Sequence, residues 1–275
     1  MKIVDDKYYT PIHVANHCWE KVKNIIGLEN ISEVIEPSCG DGSFFHYMYM
    51  KPDFGFDIKP ECVGANILTQ DYLTVNMSYK KNRLIIGNPP YGSRMNMAQK
   101  FFKKSVELGD YIAFILPISQ YQTTQSLFEF DLVYSEDLDE QIYTDRKLHC
   151  CFNIYKRPEN GKLNKRPNSK MDFIKIKRND SKGYNELTDY DIRMCGWGDG
   201  SAGKILSPTD KLYACEYKIK ILDEKNRDKI VKFFNEFDWN GFTNGIAMKR
   251  LKQFHIIDVL NKISKKSTEA KDLGG

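Results

Sequence analysis

The stretch Glu33-Val-Ile-Glu-Pro-Ser-Cys-Gly-Asp-Gly-Ser-Phe44 joins a short apolar strand to a loop with glycines at positions 40 and 42. Valine and isoleucine favour a β-strand over Glu33–Glu36, and we place a helix at Phe44–Met50 after the loop. The two glycines let the backbone approach a ligand closely, because a Cβ at either position would clash. A strand, a glycine loop and a helix in this order predict the start of an α/β fold with a wound, mainly parallel sheet.

Short apolar runs alternate with helical patterns on both sides of this stretch, as expected of a wound α/β sheet. Apolar residues at helical spacing predict helices over Pro11–Leu28 and Met95–Leu108. The other predicted strands of the first half are Phe54–Asp57, Asn66–Leu68, Leu84–Gly87, Ile112–Leu116 and His149–Tyr155.

The pattern changes after Tyr155. A basic stretch that contains proline and asparagine, Lys156–Lys170, is typical of a linker or loop. Further strands and helices are predicted at Phe173–Lys177, Asp191–Met194, Tyr213–Ile221, Glu224–Phe237 and Ala247–Ile263. We therefore predict two domains, an α/β domain over residues 1–158 and a smaller α+β region over residues 159–275.

A chain of 275 residues can bury a full hydrophobic core. Its net charge is only +4, but between residues 156 and 182 ten Lys or Arg stand against three acids. This distribution suits a surface that faces phosphates, or else a solvated loop. No apolar run is long enough to cross a bilayer, and the amino terminus lacks the apolar stretch of a secretory signal. Seven scattered cysteines without a CxxC pattern indicate reduced thiols in a cytoplasmic protein, and five dispersed histidines predict no metal site.

Acidic residues follow the strands beside the glycine loop. Asp57 ends the next strand, about twenty residues past Glu36, where nucleotide-binding α/β folds place an acid that accepts hydrogen bonds from ribose hydroxyls. Asp71 lies past the third strand and can accept a hydrogen bond from an adenine amino group. The loop lacks the three-glycine dinucleotide pattern and a phosphate-binding lysine. It therefore favours S-adenosylmethionine, a sulfonium with an amino-acid tail, over NAD.

The tetrapeptide Asn88-Pro-Pro-Tyr91 directly follows the strand Leu84–Gly87. Two prolines restrict φ twice and remove two N–H donors, which forces a rigid turn at the carboxyl end of the strand. An aromatic amine is a poor nucleophile, because its lone pair is delocalised into the ring. If Asn88 Oδ1 and the Pro89 carbonyl both accept hydrogen bonds from the NH₂ group, its lone pair can face a methyl donor, and rigid acceptors hold that alignment. Tyr91 offers a flat face on which a base can stack.

On these motifs the sequence resembles the N6-adenine DNA methyltransferases of restriction–modification type, within the Rossmann-like class I methyltransferases. The resemblance covers roughly residues 8–156 and matches the subgroup with the cofactor motif ahead of the catalytic motif. It implies an α/β fold with a mainly parallel seven-stranded sheet and a small α+β C-terminal recognition region. It also implies S-adenosylmethionine as cofactor and methyl transfer to N6 of an adenine flipped out of DNA. Double-stranded DNA is the implied partner, with a restriction endonuclease as a possible second one and neither membrane nor metal.

The resemblance assigns roles to individual residues. The segment Tyr9–Pro11 closes over the methionine end of the cofactor in that family, and the region 36–44 resembles its cofactor motif. The implied cofactor-binding residues are Tyr9, Thr10, Pro11, Glu36, Ser38, Gly40, Gly42, Asp57, Ile58 and Asp71, and the implied catalytic residues are Asn88, Pro89, Pro90 and Tyr91. Phe152 falls where the family places an aromatic that packs against the flipped base opposite Tyr91, although such a residue is equally often part of the core.

The tetrapeptide alone leaves several substrates open. It also occurs in enzymes that methylate the glutamine amide of translation release factors and in RNA methyltransferases. The position of Tyr9–Pro11 ahead of the cofactor loop and the basic region that follows the catalytic half favour DNA, whereas RNA recognition has no short sequence signature. A non-catalytic nucleic-acid-binding protein with the same fold is the alternative from a different class, and the intact Asn88–Tyr91 tetrapeptide argues against it.

Overall fold

The apolar runs of the first half form the strands and helices of one α/β unit. In this computed structural model, residues 8–144, 146–167, 171–179, 182, 184–198, 201–239 and 251–261 are described, and the chain divides into the units Met1–Arg166 and Pro167–Gly275. The helices and strands of the first unit are α1 (Ile12–Ile25), β1 (Glu33–Glu36), β2 (Phe54–Asp57), β3 (Ile67–Thr69), β4 (Arg83–Gly87), α2 (Asn96–Leu108), β5 (Tyr111–Pro117), β6 (Asp131–Tyr143) and β7 (Arg146–Lys156).

The seven strands form one sheet in the order β3-β2-β1-β4-β5-β7-β6. Strands β1 to β5 are parallel to their neighbours among these five, whereas β7 runs antiparallel to β5 and pairs with β6 in a hairpin. The mainly parallel seven-stranded sheet predicted from the sequence is therefore confirmed. The strand order reverses between β1 and β4, and such a switch point is where open α/β sheets bind ligands at the carboxyl ends of the strands.

Alternate residues of the central strands face opposite sides of the sheet, and each side is covered by one helix. Ile35 and Ile85 pack with Phe102 of α2 in one apolar cluster, whereas Leu84 packs with Trp19 of α1 in the other. All five side chains are buried. The two loops that follow β1 and β4 are thus anchored on strands buried on both faces, which holds the loops in place.

The helix predicted over Phe44–Met50 is wrong. Only a single turn of 3₁₀ helix forms, at Ser43–His46, and Tyr47 directly after it has an extended backbone. The buried indole of Trp19 donates a hydrogen bond to the Phe44 carbonyl at 3.0 Å, and its ring stacks on that of Tyr47 at 5.5 Å between centroids. In a longer helix, the Phe44 carbonyl would accept a backbone N–H group. Here it accepts the Trp19 indole instead, and the Tyr47 side chain is held against the same indole, so the helix does not continue.

Strand β6 is absent from the sequence prediction, although it spans 13 residues. It is the outermost strand of the sheet, its residues are mostly half-buried or exposed, and it carries most of the acidic stretch Glu129–Glu140. An edge strand needs no continuous apolar face, and charged side chains are common there because they discourage pairing with other chains. The pattern of β6 therefore looks like that of a loop.

The second unit contains a three-stranded antiparallel sheet in the order β8-β10-β9. Its elements are β8 (Ile174–Arg178), β9 (Ile192–Cys195), β10 (Glu216–Ile221), α3 (Arg227–Glu236) and a helix over 253–261 that we label α4. One face of the sheet packs against α3 and α4 in an apolar cluster that includes Ile219, Phe234 and Leu260. The α+β character predicted for this region is confirmed. Residues 247–250 and 262–263 of the predicted last helix lie outside the described residues.

All seven cysteines lie within the described residues, and each is a free thiol. No described helix combines the length and the apolar character that crossing a membrane requires.

Candidate active site

The carboxyl ends of β1, β2 and β4 meet at one edge of the sheet, because these strands are parallel neighbours. A cleft of about 300 Å³ opens at this edge. Ten predicted site residues line it: Tyr9, Ser38, Gly40, Asp57, Ile58, Asp71, Asn88, Pro89, Pro90 and Tyr91. Thr10 and Glu36 line a small recess of about 20 Å³ that shares Tyr9, Ser38, Gly40 and Asn88 with the cleft. The tertiary fold thus brings the predicted cofactor loop and the predicted catalytic tetrapeptide to one place.

The glycine loop depends on backbone conformations that favour glycine. Gly40 has φ +48° and Gly42 has φ +86°. A Cβ on Gly40 would lie 3.1 Å from a ring carbon of Tyr9, and a Cβ on Gly42 would lie 2.9 Å from the Cβ of Cys62. Both glycines are therefore required by their φ and by their close neighbours. Gly42 lines neither the cleft nor the recess.

Asp57, at the end of β2, holds the loops on both sides of it. One carboxylate oxygen accepts the N–H of Gly40 at 3.0 Å, and the other accepts the N–H of Lys59 at 2.8 Å. Asp71 caps the short 3₁₀ turn that follows β3, where its carboxylate accepts the N–H of Leu73 at 2.9 Å. Each carboxylate oxygen has a second lone pair, so both acids can also accept hydrogen bonds from a ligand in the cleft.

Glu36 is an unpaired acid in a buried position. It is 2% exposed, and its Oε2 atom has no hydrogen-bond partner among the described residues. Burial, and then the nearby carboxylates of Asp41 and Asp57, raise the pKa of Glu36 well above its usual range. Neither Lys, Arg nor His is among the described residues that line the cleft and the recess. The electrostatics therefore favour a ligand with a positive centre and without phosphates.

Asn88 is held on two sides at the end of β4. Its backbone carbonyl accepts the Ser38 hydroxyl at 3.1 Å. Its side-chain amide nitrogen donates to the Tyr8 carbonyl and to the Thr10 hydroxyl, each at 3.2 Å. The amide oxygen therefore lies on the opposite side of the planar amide group, away from these two acceptors.

Tyr91 ends the tetrapeptide with its ring half-buried and its hydroxyl inside the protein. The hydroxyl lies 3.5 Å from the Cys150 sulfur, and burial raises the pKa of Tyr91 well above its usual range. The ring contacts both apolar clusters and lines the cleft. It therefore provides a neutral, flat wall that the core holds in place.

Phe152 and Pro11 lie outside the cleft lining. Phe152 is fully buried on β7, in the same apolar cluster as Trp19, so its predicted stacking on a base stays a prediction. Pro11 precedes α1, and its carbonyl accepts the N–H groups of Val14 and Ala15. In the structure, Pro11 therefore starts helix α1, directly after the residues Tyr9 and Thr10 that line the recess.

Six cleft residues were not predicted from the sequence: Tyr8, Pro37, Gln70, Tyr72, Met97 and Phe101. Met97 and Phe101 are four residues apart on α2, so they share one face of the helix, and their spacing alone could have indicated that they act together. Tyr72 follows the predicted acid Asp71 directly. No sequence pattern could have indicated the role of Tyr8, because the group that contacts Asn88 is its backbone carbonyl.

His149 lies near two acids of the β6–β7 hairpin. Its Nε2 atom is 2.6 Å from a carboxylate oxygen of Asp137, and one ligand atom each of Asp137, Asp139 and His149 lie within 4.8 Å of one another. The hydrogen bond accounts for the approach of His149 to Asp137. None of these three residues lines the cleft.

No family model matches the chain, and no curated protein sequence matches it significantly. Among solved structures it is similar to a proposed RNA methyltransferase from Pyrococcus horikoshii, with 14% identity, a TM-score of 0.44 and coverage of 55% of this chain and 86% of that chain. It is also similar to the type I restriction enzyme EcoKI M protein, with 16% identity, a TM-score of 0.43 and coverage of 61% of this chain and 47% of that chain. The similarity to the 23S rRNA methyltransferase ErmE has 14% identity, a TM-score of 0.41 and coverage of 56% of this chain and 70% of that chain.

These similarities identify no substrate for the chain, because the identities and TM-scores are low and the named substrates differ. The Rossmann-like α/β fold of the first unit is established by its own strand order and by the parallel pairing of β1 to β5.

Proposed function

We propose that this protein is an S-adenosylmethionine-dependent methyltransferase that acts on an exocyclic amino group, and that its substrate is adenine N6 in DNA. One observation carries the proposal: the glycine loop, the acids Asp57 and Asp71, and the turn Asn88–Tyr91 line a single cleft. In this turn, the Asn88 amide nitrogen is held by hydrogen bonds to the Tyr8 carbonyl and the Thr10 hydroxyl. A turn of this kind holds its hydrogen-bond acceptors in fixed positions. An amine whose lone pair is delocalised into a ring needs such fixed acceptors to become nucleophilic.

The residues present fit S-adenosylmethionine. This cofactor supplies a methyl group bonded to a positively charged sulfur, and it has no phosphates. Glu36 is a buried carboxyl whose unpaired oxygen suits the cationic amino-acid end of the cofactor, beside Thr10 and Ser38 in the recess. Asp57 and Asp71 line the cleft and suit the ribose hydroxyls and the adenine amino group.

The tetrapeptide would prepare the substrate nitrogen. Asn88 Oδ1 and the Pro89 carbonyl would accept the two hydrogens of the amine and leave its lone pair free to attack the methyl group that S-adenosylmethionine would supply. The nitrogen then loses one proton to water, and no general base is needed to start the reaction. The neutral ring of Tyr91 stacks on a base that has flipped out of the DNA helix. Phe152 would contact that base opposite Tyr91 only if its side chain became exposed.

A nucleic-acid substrate is favoured over the release-factor amide by the second unit. It follows the catalytic half, and its strand β8 carries the exposed lysines Lys175 and Lys177; such charges suit phosphate contacts. The unit is the proposed target-recognition region, and a cognate restriction endonuclease is a partner that this function allows. Methylation of RNA adenine or of a release-factor glutamine amide would use the same tetrapeptide.

The experiment supplies the protein with S-adenosylmethionine carrying an isotope-labelled methyl group. Unmethylated double-stranded DNA, RNA and a release factor are offered in separate reactions, and the products are digested and analysed by mass spectrometry. We expect labelled N6-methyladenine from DNA, and only a small fraction of that label in the same time when an Asn88→Ala variant is used. Label in RNA or in glutamine alone would overturn the DNA substrate and keep the methyl transfer. Nucleic-acid binding without transfer to any of the three would favour the non-catalytic alternative.

The raised pKa of Glu36 predicts opposite effects of a Glu36→Gln variant on stability and on binding. A carboxyl whose pKa is raised on folding lowers stability as the pH rises from its usual pKa of about 4 toward the raised value. Glu36→Gln should therefore increase the free energy of unfolding of the cofactor-free protein at neutral pH. The same variant should weaken cofactor binding about tenfold, because a glutamine amide cannot ionise beside the cationic end of the cofactor.

Thermal unfolding between pH 4 and 8 and calorimetry with S-adenosylmethionine measure these two effects. Glu29→Gln is the matched control, since Glu29 is exposed and lines neither the cleft nor the recess. Equal stability of wild type and Glu36→Gln at neutral pH would show that folding does not raise the pKa of Glu36 and would contradict the prediction.

Replacing Gly40 by alanine should weaken cofactor binding by about tenfold. The left-handed φ costs an alanine about 1 kcal/mol, and its Cβ would push against the Tyr9 ring, which lines the cleft. Gly161→Ala is the matched control, because Gly161 has φ +72° and no atom within 4 Å of the added Cβ. Calorimetry should show an unchanged cofactor affinity for Gly161→Ala. An equal cofactor affinity of Gly40→Ala and Gly161→Ala would mean that the cofactor does not occupy the space beside Tyr9.

A further inference from the structure

The segment Tyr8–Thr10 contacts the catalytic asparagine directly. The Asn88 amide nitrogen lies 3.2 Å from the Tyr8 carbonyl oxygen and 3.2 Å from the Thr10 hydroxyl. A carbonyl oxygen can only accept hydrogen bonds, so the atom that faces Tyr8 has to be the NH₂ group. With that orientation set, the Thr10 hydroxyl accepts the second amide hydrogen. None of the described residues donates a hydrogen bond to Asn88 Oδ1, which leaves it available as an acceptor.

Several contacts hold this segment in place. The Tyr9 N–H donates to the Thr144 hydroxyl at 3.0 Å, and Arg146 donates to the Tyr8 hydroxyl at 3.1 Å. The Ser43 hydroxyl of the glycine loop donates to the Thr10 carbonyl at 2.5 Å. The segment is thus tied to the β6–β7 hairpin and to the glycine loop, and a fixed segment can in turn fix Asn88.

Thr10 is suited to hold another side chain. It is 6% exposed, its carbonyl is occupied by Ser43, and its hydroxyl points to Asn88. The same hydroxyl lies at the recess, so it could instead act only on the cofactor. The two roles differ in the step that they affect, because a cofactor contact changes affinity and an oriented Asn88 changes the rate of transfer.

We propose that Thr10 is a positioning residue, whose hydroxyl orients the Asn88 amide so that Oδ1 faces the substrate amine. The inference rests on the proposed methyl transfer for its role in catalysis. Without the Thr10 hydroxyl, the amide keeps one of its two acceptors and can rotate about χ2. A rotated amide presents NH₂ instead of Oδ1 to the substrate, and two donors then oppose each other. The fraction of productive encounters falls, while the cofactor site keeps its other contacts.

The experiment compares Thr10→Val with Thr10→Ser. Valine has the shape of threonine and lacks the acceptor, whereas serine keeps the acceptor. Single-turnover transfer is measured with saturating S-adenosylmethionine, and cofactor affinity is measured by calorimetry. At saturating cofactor we expect a rate about 10-fold lower for Thr10→Val and a rate within about 2-fold of wild type for Thr10→Ser. Calorimetry shows how far each variant also changes cofactor affinity, since Thr10 lines the recess as well.

Three outcomes would overturn the proposal: a wild-type rate for Thr10→Val, an equal loss for Thr10→Ser, or a loss explained entirely by weaker cofactor binding. A second measurement needs no activity. In ¹⁵N NMR the side-chain amide of Asn88, assigned by its absence from Asn88→Ala, should shift in Thr10→Val and stay near its wild-type position in Thr10→Ser.

The NMR measurement separates this inference from the proposed function. If the wild-type protein transfers no methyl group to any substrate, the proposed function fails, and the Asn88 signals still show whether Thr10 holds the amide. If wild type is active and the Asn88 signals do not change in Thr10→Val, the proposed function stands and the positioning role of Thr10 is refuted. Circular dichroism of both variants checks that they are folded.

Discussion

An Asn88→Ala variant should transfer methyl groups about 100 to 1,000 times more slowly than wild type, because removal of one preorganised polar group at a reacting centre has an effect of this size. Alanine removes Oδ1, so the substrate amine would keep the Pro89 carbonyl as its acceptor and lose the other. Cofactor binding should persist. The Ser38 hydroxyl bonds to the backbone carbonyl of residue 88, and that contact does not depend on the side chain.

The measurement is a single-turnover rate at saturating cofactor and DNA, together with calorimetry for the cofactor. Asn76→Ala is a matched control, since Asn76 is an exposed asparagine outside the cleft lining. It should behave as wild type in both assays. A rate for Asn88→Ala within a few-fold of wild type would mean that the tetrapeptide does not perform the chemistry.

A Glu216→Ala variant should lower the free energy of unfolding of the second unit by about 3–5 kcal/mol, since it leaves a buried cation without its counter-charge. The side chains of Arg193 and Glu216 are 3% and 1% exposed and form a bidentate pair at 3.1 and 2.8 Å. Arg193 also donates to three backbone carbonyls, those of Ser207, Asp210 and Lys211. The pair therefore holds the loop between β9 and β10 against the sheet.

Hydrogen exchange followed by mass spectrometry would localise this effect, since peptides from β9 and β10 should lose protection while those from β1 and β4 keep it. Glu186→Ala is the control, because Glu186 pairs with Lys177 at 3.8 Å in an exposed position, where an ion pair contributes about 0 to 1 kcal/mol. Cofactor affinity of Glu216→Ala should equal that of wild type. Equal protection of β9 and β10 in both variants would contradict the prediction.

Much of the first unit could be predicted because its patterns are local. The strands β1, β2 and β4 are short apolar runs next to glycine or proline, and these residues restrict the backbone wherever they occur. Strand β6 and the end of the predicted helix at Phe44–Met50 could not be predicted in this way. An edge strand has no apolar alternation to detect, and the helix is stopped by the indole of Trp19, which lies 25 residues away in sequence.

The sequence by itself determined the α/β class of the first half, the glycine loop, the acids after the strands and the turn at Asn88–Tyr91. Each of these depends on residue type and near neighbours. Only the tertiary structure decided which way the Asn88 amide faces, that Glu36 is left unpaired, and that Phe152 is in the core. The partners of Asn88 lie 80 and 78 residues away, and one of them is a backbone carbonyl. Every residue has such a carbonyl, so its role depends on where the folded chain places it and not on which amino acid carries it.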